Sequence, residues 1–453
     1  MHPWIGAGDD DRRRILSEIG LGSTDDLFSA IPPAVCVDRV PLANGLDEQA
    51  VRLELVAMAL ANLSPDCRPS FLGAGVYRHV QPSVIDAVLS RAEFFTSYTP
   101  YQPEIAQGTL QAIYEFQTLI CQLTGMEVAN ASLYDGATAL IEAVLFAHRV
   151  RRGKAQRVVL AETVHPMYRR VVRTYADPAG LEVLMVPAGG DGRVDPTTLR
   201  AAAGDESACC IAVQSPNFLG IVEDLPAVAN VAHAAGALAV QVVAEAASFG
   251  LLAGGGAFGF DVVCGEAQSF GIPSGFGGPH LGFFACRNKD VRQMPGRLVG
   301  ETVDSRGDRA YCLTLSTREQ HIRRAKATSN ICTNQGLMAL AATVWLETVG
   351  GHGLRDLAAA CLARSEDLKR RIEAAAGPWR LAFPTSPTFN ELLITGPGEG
   401  AELARRLADL GVLAGVPSRT WGGSWPDGLL VAVTERTTTS EVEALMDGLG
   451  RVS

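Results

Sequence analysis

Five short apolar runs, separated by helix-like stretches, restrict the fold more than any other feature of this chain. They are "RVVLAE" from Arg157, "LEVLMVP" from Leu181, "CCIAVQ" from Cys209, "ALAVQVVAE" from Ala237 and "FDVVCG" from Phe260. All are short and rich in β-formers, and stretches such as "MYRRVVRTYA" and "LPAVANVAHAAG" between them read as helices. Strands that alternate with helices form a mainly parallel sheet covered on both faces. Upstream, "GTLQAIYEFQTLICQLTG" sets Leu110, Ile113, Phe116, Leu119, Ile120 and Leu123 at helical spacing, and Gly125 can end that helix. "DGATALIEAVLFAHRV" follows as a second helix, with an acidic start and a basic end that suit the helix dipole.

The flanks read differently. Residues 1–65 are expected to form an N-terminal helical arm, in which "EQAVRLELVAMALANL" puts Val51, Leu55, Met58 and Ala59 on one face. Residues 66–320 carry the large α/β domain. Residues 321–453 read as a small C-terminal α+β domain, with long helices from "NQGLMALAATVWLETVGG" and strands "RLAFP", "NELLITG" and "LLVAVTE". At 453 residues the chain is too long for one small core.

Composition narrows the function. A net charge of −10 argues against nucleic acid as a partner. No apolar run reaches the roughly 18 residues of a membrane span, so no membrane association is expected. The start, "MHPWIGAGDDDRRR", lacks the apolar centre of a signal peptide, and a cytoplasmic location follows as the expectation. Ten cysteines are scattered singly apart from Cys209 and Cys210, with no C-x-x-C pair, so neither a metal site nor a disulfide framework is expected.

A large α/β domain followed by a small C-terminal one resembles the layout of fold-type I pyridoxal-phosphate enzymes. Such a site makes four demands. The phosphate needs a helix N-terminus with small residues, which Asp135, Gly136, Ala137 and Thr138 offer in "YDGATA". A ring must stack on the cofactor, and His165 follows a strand in "VHPMY". A carboxylate must keep the pyridine nitrogen protonated, and Glu245 ends "LAVQVVAE". Last comes the lysine, which belongs near the corner "GEAQSFGIPSGFGGPHLGFF", residues 265–284. The chain has only four lysines, Lys154, Lys289, Lys326 and Lys369, and the corner holds Gln268 and Ser269 instead. An amide cannot act as the amine nucleophile, and Lys289 reads as a surface turn residue. As a self-sufficient pyridoxal enzyme the chain fails.

Several uncommon strings explain the gap. "FLGAGVYRHVQPSVIDAVLSRAEFFTSYTPYQPEIAQGTLQAIYEFQTLICQLTGMEVANASLYDGATAL", "QSPNFLGIVED", "MPGRLVGETVD" and "LTLSTREQHIRRAKATSNICTNQ", with the corner itself, resemble the P-protein family, the glycine decarboxylases of glycine cleavage. The resemblance is to the N-terminal half, or subunit 1, of that family. It implies an oxidoreductase subunit in which pyridoxal phosphate is held by a partner, subunit 2, with no cofactor bound covalently here. Glycine would be decarboxylated on the partner's cofactor and the aminomethyl group passed to the lipoyl arm of H-protein, in an α2β2 heterotetramer. Gln268 then occupies the Schiff-base lysine position, and Asp135, Gly136, Ala137, Thr138, His165, Glu245 and Gln268 line a vestigial pocket. The loop "YTPYQPE" is stiffened by two prolines, and by the same resemblance Tyr98, Thr99, Tyr101 and Gln102 are expected to reach the partner's site. Glu245-Ala246 departs from the expected Asp-Pro, which leaves a subunit of a specialised glycine-derived pathway as one alternative, and a non-catalytic regulatory or scaffold paralogue is the other. Residues 287–326 hold ten Lys or Arg against five Asp or Glu, which reads as a docking surface for subunit 2 or for an acidic lipoyl protein.

Overall fold

The computed structural model describes residues 6, 8–37, 40–96, 98–329, 331 and 333–452. It divides into two compact units, Met1–Leu63 and Ser64–Ser453. The first holds α1 (Asp9–Glu18) and α2 (Glu48–Leu60), with 3-10 turns at Asp25–Phe28 and Pro33–Val35. Three acidic residues open α1, where they suit the helix dipole. Asp47 caps α2 by accepting the Ala50 N–H at 2.8 Å. Between the two helices residues 40–47, with Pro41 and Gly45 among them, have no regular structure. The expected apolar face of α2 is present, but none of its side chains is buried.

In the second unit the chain order is α3 (Val84–Leu89), α4 (Gln107–Thr124), β1 (Val128–Ala129), α5 (Gly136–Val150), β2 (Arg157–Ala161), α6 (Pro166–Ala176), β3 (Glu182–Val186), α7 (Pro196–Ala203), β4 (Ala208–Gln214), α8 (Leu225–Ala234), β5 (Leu238–Val243), β6 (Val262–Glu266) and β7 (Gly282–Cys286). These strands make a seven-stranded sheet in the order β1-β7-β6-β5-β4-β2-β3. The five apolar runs are its parallel part, β2 to β6, and β7 turns back antiparallel beside β6. Strands β4, β5 and β6 are buried along their whole length, which explains why their sequences are almost entirely apolar. Gly125 ends α4 in the left-handed region, φ 69°, where a side chain would be strained.

A hairpin, β8 (Val299–Val303) with β9 (Arg309–Leu313), and the short α9 (Gln320–Arg323) lead to α10 (Gly336–Ala374), which is broken at Gly350 by a φ of 65°. Then follow β10 (Arg380–Leu381), β11 (Glu391–Thr395), α11 (Gly400–Asp409), β12 (Val416–Pro417), β13 (Leu429–Ala432) and α12 (Thr439–Arg451). The four strands form an antiparallel sheet, β10-β11-β13-β12. Its core gathers Ile394, Leu407, Leu429, Val431 and Leu445. Phe71, far away in sequence, is fully buried in that same core. Its N–H donates to Leu413 O at 2.7 Å and its carbonyl accepts the Ala432 N–H at 2.9 Å. The first half of α10, including Trp345, packs in the large core instead. From Phe71 the chain therefore runs from the C-terminal sheet toward the end of β6.

Strands β5 and β6 approach closely at Gly265. A Cβ there would overlap the Val243 carbonyl oxygen and lie 2.9 Å from the Val243 nitrogen. Gly265→Ala should lower the thermal midpoint by about 5 °C or more, because the central ladder must open to admit a methyl group. Calorimetry showing a shift below about 1 °C would contradict this packing.

Candidate functional site

The corner after β6 is sealed. Gln268 is 2% exposed. Its Oε1 accepts the Tyr77 N–H at 2.9 Å, and its Nε2 donates to Tyr77 O at 3.1 Å and Ile272 O at 2.6 Å. One carbonyl and two N–H groups are all that a primary amide offers, and each is engaged. Gln268 is thus a bracket that pins residues 74–79 into the groove between the end of β6 and the C-terminal sheet, bonded to both the N–H and the carbonyl of Tyr77.

Beside it, Glu245 follows β5. Its Oε1 accepts from Ser269 Oγ at 2.6 Å and the Ala247 N–H at 2.9 Å, while Oε2 lies 3.1 Å from His79 Nε2. The other ring nitrogen of His79, Nδ1, lies 2.7 Å from Glu435 Oε2. Burial opposes a charge on His79. Glu245 first, then Cys361 and Glu435, outweigh it and raise its pKa well above the ordinary value. At neutral pH His79 is therefore an imidazolium between two carboxylates. Cys361 Sγ stands 3.5 Å from Glu435 Oε2. With His79 they bring nitrogen, sulfur and oxygen within 4.8 Å, a set that could hold a cation, where no metal site was expected. Their mutual hydrogen bonds satisfy all three without one.

Two further groups complete the groove. Glu391 of β11 accepts the Tyr77 hydroxyl at 2.6 Å and the Ala74 N–H at 2.7 Å. His165 opens α6, with its Nε2 2.8 Å from Ala74 O and its ring 4.8 Å from that of Tyr168 and 5.3 Å from that of Phe218. Burial lowers His165 to about 4, so it is neutral at physiological pH.

At the N-terminus of α5, Asp135 accepts the Thr138 N–H at 2.7 Å, and the Gly136 N–H donates to Glu266 Oε2 at 3.0 Å. Ala137 is buried in the same turn. A phosphate placed on these N–H groups would face two carboxylates. His165 is met by Ala74 O and Glu245 by His79, so the chain's own residues 74–79 stand against both groups expected to face a ring. As built, these residues do not fit pyridoxal phosphate.

The structure sets His165, Glu245 and Gln268 around residues 74–79, and Asp135–Thr138 join the same corner through Glu266. Sequence reasoning missed Tyr77, His79, Glu391 and Glu435, which come from distant elements with no motif spacing. Only Glu266 and Ser269 stood inside the quoted corner.

The loop residues lie elsewhere. Tyr98 is 87% exposed, Gln102 is exposed and Thr99 is half-buried. The Tyr101 hydroxyl is hydrogen-bonded to the buried Arg297, whose guanidinium sits 4.9 Å from the Tyr101 ring centroid. Arg297 Nε lies 3.5 Å from Glu319, and His321 meets the Tyr101 ring edge-on at 6.0 Å. Tyr101, itself 51% exposed, is thus tied down at its hydroxyl, while Tyr98 projects. A cleft of about 580 Å³ opens beside it, lined by Phe94, Pro100, Ile113, Leu337 and Leu340. The basic run at 287–326 is not one face: Arg297 and Arg318 are buried, and Arg306 pairs with Asp304 and Asp308. Lys289 is exposed and pairs with Asp261 at 3.5 Å.

Burial raises Glu391 from 4.5 to about 7, against the Tyr77 hydroxyl and Ala74 N–H, which favour its charged form. The folded chain holds this proton more tightly than the unfolded chain. The associated stability is full below about 4.5 and is lost as the pH rises through about 7. Glu391→Gln keeps an acceptor for Ala74 and removes the titration. Relative to the unsubstituted chain it should gain about 2–3 kcal/mol between pH 5 and pH 8. Thermal denaturation of both proteins across that range checks the slope, and parallel curves would refute it.

Comparison with known proteins fits the same chain throughout. The family model described as glycine cleavage system P-protein matches residues 2–449. A protein of Phenylobacterium zucineum named probable glycine dehydrogenase (decarboxylating) subunit 1 is 46% identical over 444 residues, covering 98% of each chain. One of the same name from Anaeromyxobacter dehalogenans is 50% identical over 430 residues, 94% of this chain and 95% of its own. A crystal structure of glycine decarboxylase (P-protein) in inhibitor-bound form superposes with a TM-score of 0.87 at 41% identity, covering 99% of this chain and all of that one. A sphingosine-1-phosphate lyase from Burkholderia pseudomallei shares the fold alone, with a TM-score of 0.68 at 16% identity. The α/β architecture expected from the strand runs is the fold-type I architecture common to these structures. The chain belongs to the glycine cleavage system P-protein family.

Proposed function

We propose that this chain is subunit 1 of a two-chain glycine decarboxylase, which releases CO2 from glycine only when joined to a lysine-bearing subunit 2. The observation that carries the reading is Gln268: at the corner where a nucleophilic amine would stand, an amide is fully engaged in holding the chain's own backbone. Pyridoxal phosphate belongs to the partner, where it serves as the electron sink for decarboxylation. The aminomethyl group passes to the lipoyl arm of H-protein, and two copies of each subunit form an α2β2 assembly. The names of the relatives support a partner subunit. No described helix is long and apolar enough to cross a membrane. Nine described cysteines are all free, which suits the reducing cytoplasm as the place of action.

This chain's share of the work lies in its loop. Tyr98 and Thr99 enter the partner's site from a turn that Tyr101 fastens to Arg297, and Gln102 lies beside them. Tyr98 presents a hydroxyl that can orient or hydrogen-bond a polar group there. Tyr101 acts by holding the turn.

Glycine-dependent CO2 exchange by the separate and mixed subunits tests the assignment, and activity of subunit 2 alone would make this chain a scaffold. In the mixed enzyme Tyr98→Phe should lower the rate on the order of 10-fold. Unchanged rates for both Tyr98→Phe and Tyr101→Phe would remove the loop from the site. Gln268→Lys alone should not give the isolated chain an imine absorption band with pyridoxal phosphate, since Glu266, Asp135 and His79 still fill the pocket. Appearance of that band would show that the groove opens.

A further inference from the structure

The C-terminal part of helix α2 is apolar around its circumference. Residues 55–60 read Leu-Val-Ala-Met-Ala-Leu, six apolar residues in succession and more than one full turn. Leu53 and Leu60, 61% and 80% exposed, share one face, while Leu55 and Met58, 59% and 58% exposed, share the opposite one. A helix of this kind belongs in an interior, yet none of its residues is buried. The chain before it continues the pattern, with Val35 and Leu42 at 70% and 74% exposure. Twelve apolar residues from Val35 to Leu63 are each at least 39% exposed. Together they offer on the order of 1,000 Å² of apolar surface, about one partner's share of a stable interface.

The charges on the arm help to choose the occupant. Asp47, Glu48 and Glu54 outnumber Arg52 around α2, so this helix carries no basic rim for an anionic lipid surface. A second copy of α2 is also a poor fit, because symmetric pairing covers one face of each helix and leaves the other in water.

We infer that this arm clasps the lysine-bearing partner chain, with α2 seated in an apolar groove of that subunit and covered on two opposite faces. The inference rests on the two-chain reading above. It makes the arm the main hold between the subunits, separate from the loop at Tyr98 that serves the chemistry.

The test uses the full-length chain and purified partner. Leu53→Glu with Leu60→Glu charges one face, and Leu55→Glu with Met58→Glu charges the other, in each case with a strong helix former. Sedimentation against the partner should show each pair weakening association by about 100-fold or more. The thermal midpoint of the isolated chain should stay within about 2 °C, because the altered positions are exposed in it. Unchanged association with either pair overturns the two-faced clasp. A clear fall in the isolated chain's midpoint overturns it too, since α2 would then pack on its own chain. So does an isolated dimer that either pair dissociates, which would make a second copy the occupant. CO2 exchange by the unsubstituted pair of subunits tests the two-chain reading separately, so the failure of one is distinguishable from the failure of the other.

Discussion

The buried imidazolium of His79 lies between two carboxylates from different parts of the chain, Glu245 after β5 and Glu435 after β13. Removing water from three ionised groups is costly, and the cost is offset only because each is paired and further hydrogen-bonded. Glu245 is completed by Ser269 and the Ala247 N–H, Glu435 by the Val80 N–H. Loss of any one member would strand a buried charge. The large sheet, the C-terminal sheet and residues 74–80 are therefore tied together at one point. Gln268 and Glu391 fix the same segment from either side.

In a cofactor-binding fold the groove between the sheets is a place for a ligand, and its polar groups face inward. Here those groups face the chain's own backbone. The helix N–H groups of α5 meet Asp135 and Glu266, and the ring of His165 leans on Tyr168 and Phe218. At this corner Gln268, Glu245, Glu391 and His79 are all satisfied by the chain itself. A groove filled in this way is rigid, and it holds the outer loops in fixed positions.

Those outer features differ in kind. The loop at Tyr98 is short, braced by a buried arginine, and carries polar groups. The arm around α2 is long, lacks internal burial and carries apolar groups. Fixed geometry suits a role in a reaction, and broad apolar area suits adhesion. The division follows from what each segment exposes, not from its position in the sequence.

Much of the architecture was legible because it depends on local pattern. The parallel strands β2 to β6 were visible as apolar runs, since a strand buried on both faces must be apolar throughout. The helix ending at Gly125 was visible from its spacing and its stop. The missing lysine, too, is a plain property of the letters at 268. What the sequence could not tell is what stands at that corner. Tyr77, His79, Glu391 and Glu435 meet only because Phe71 is drawn into the C-terminal core and carries the following residues across the groove. Contacts between residues more than 300 apart leave no periodicity to read. The sequence alone determined a fold-type I sheet without its nucleophile, because burial and composition are local constraints. Only the tertiary structure decided that the groove is closed by the chain itself, because that depends on charges brought together from distant elements.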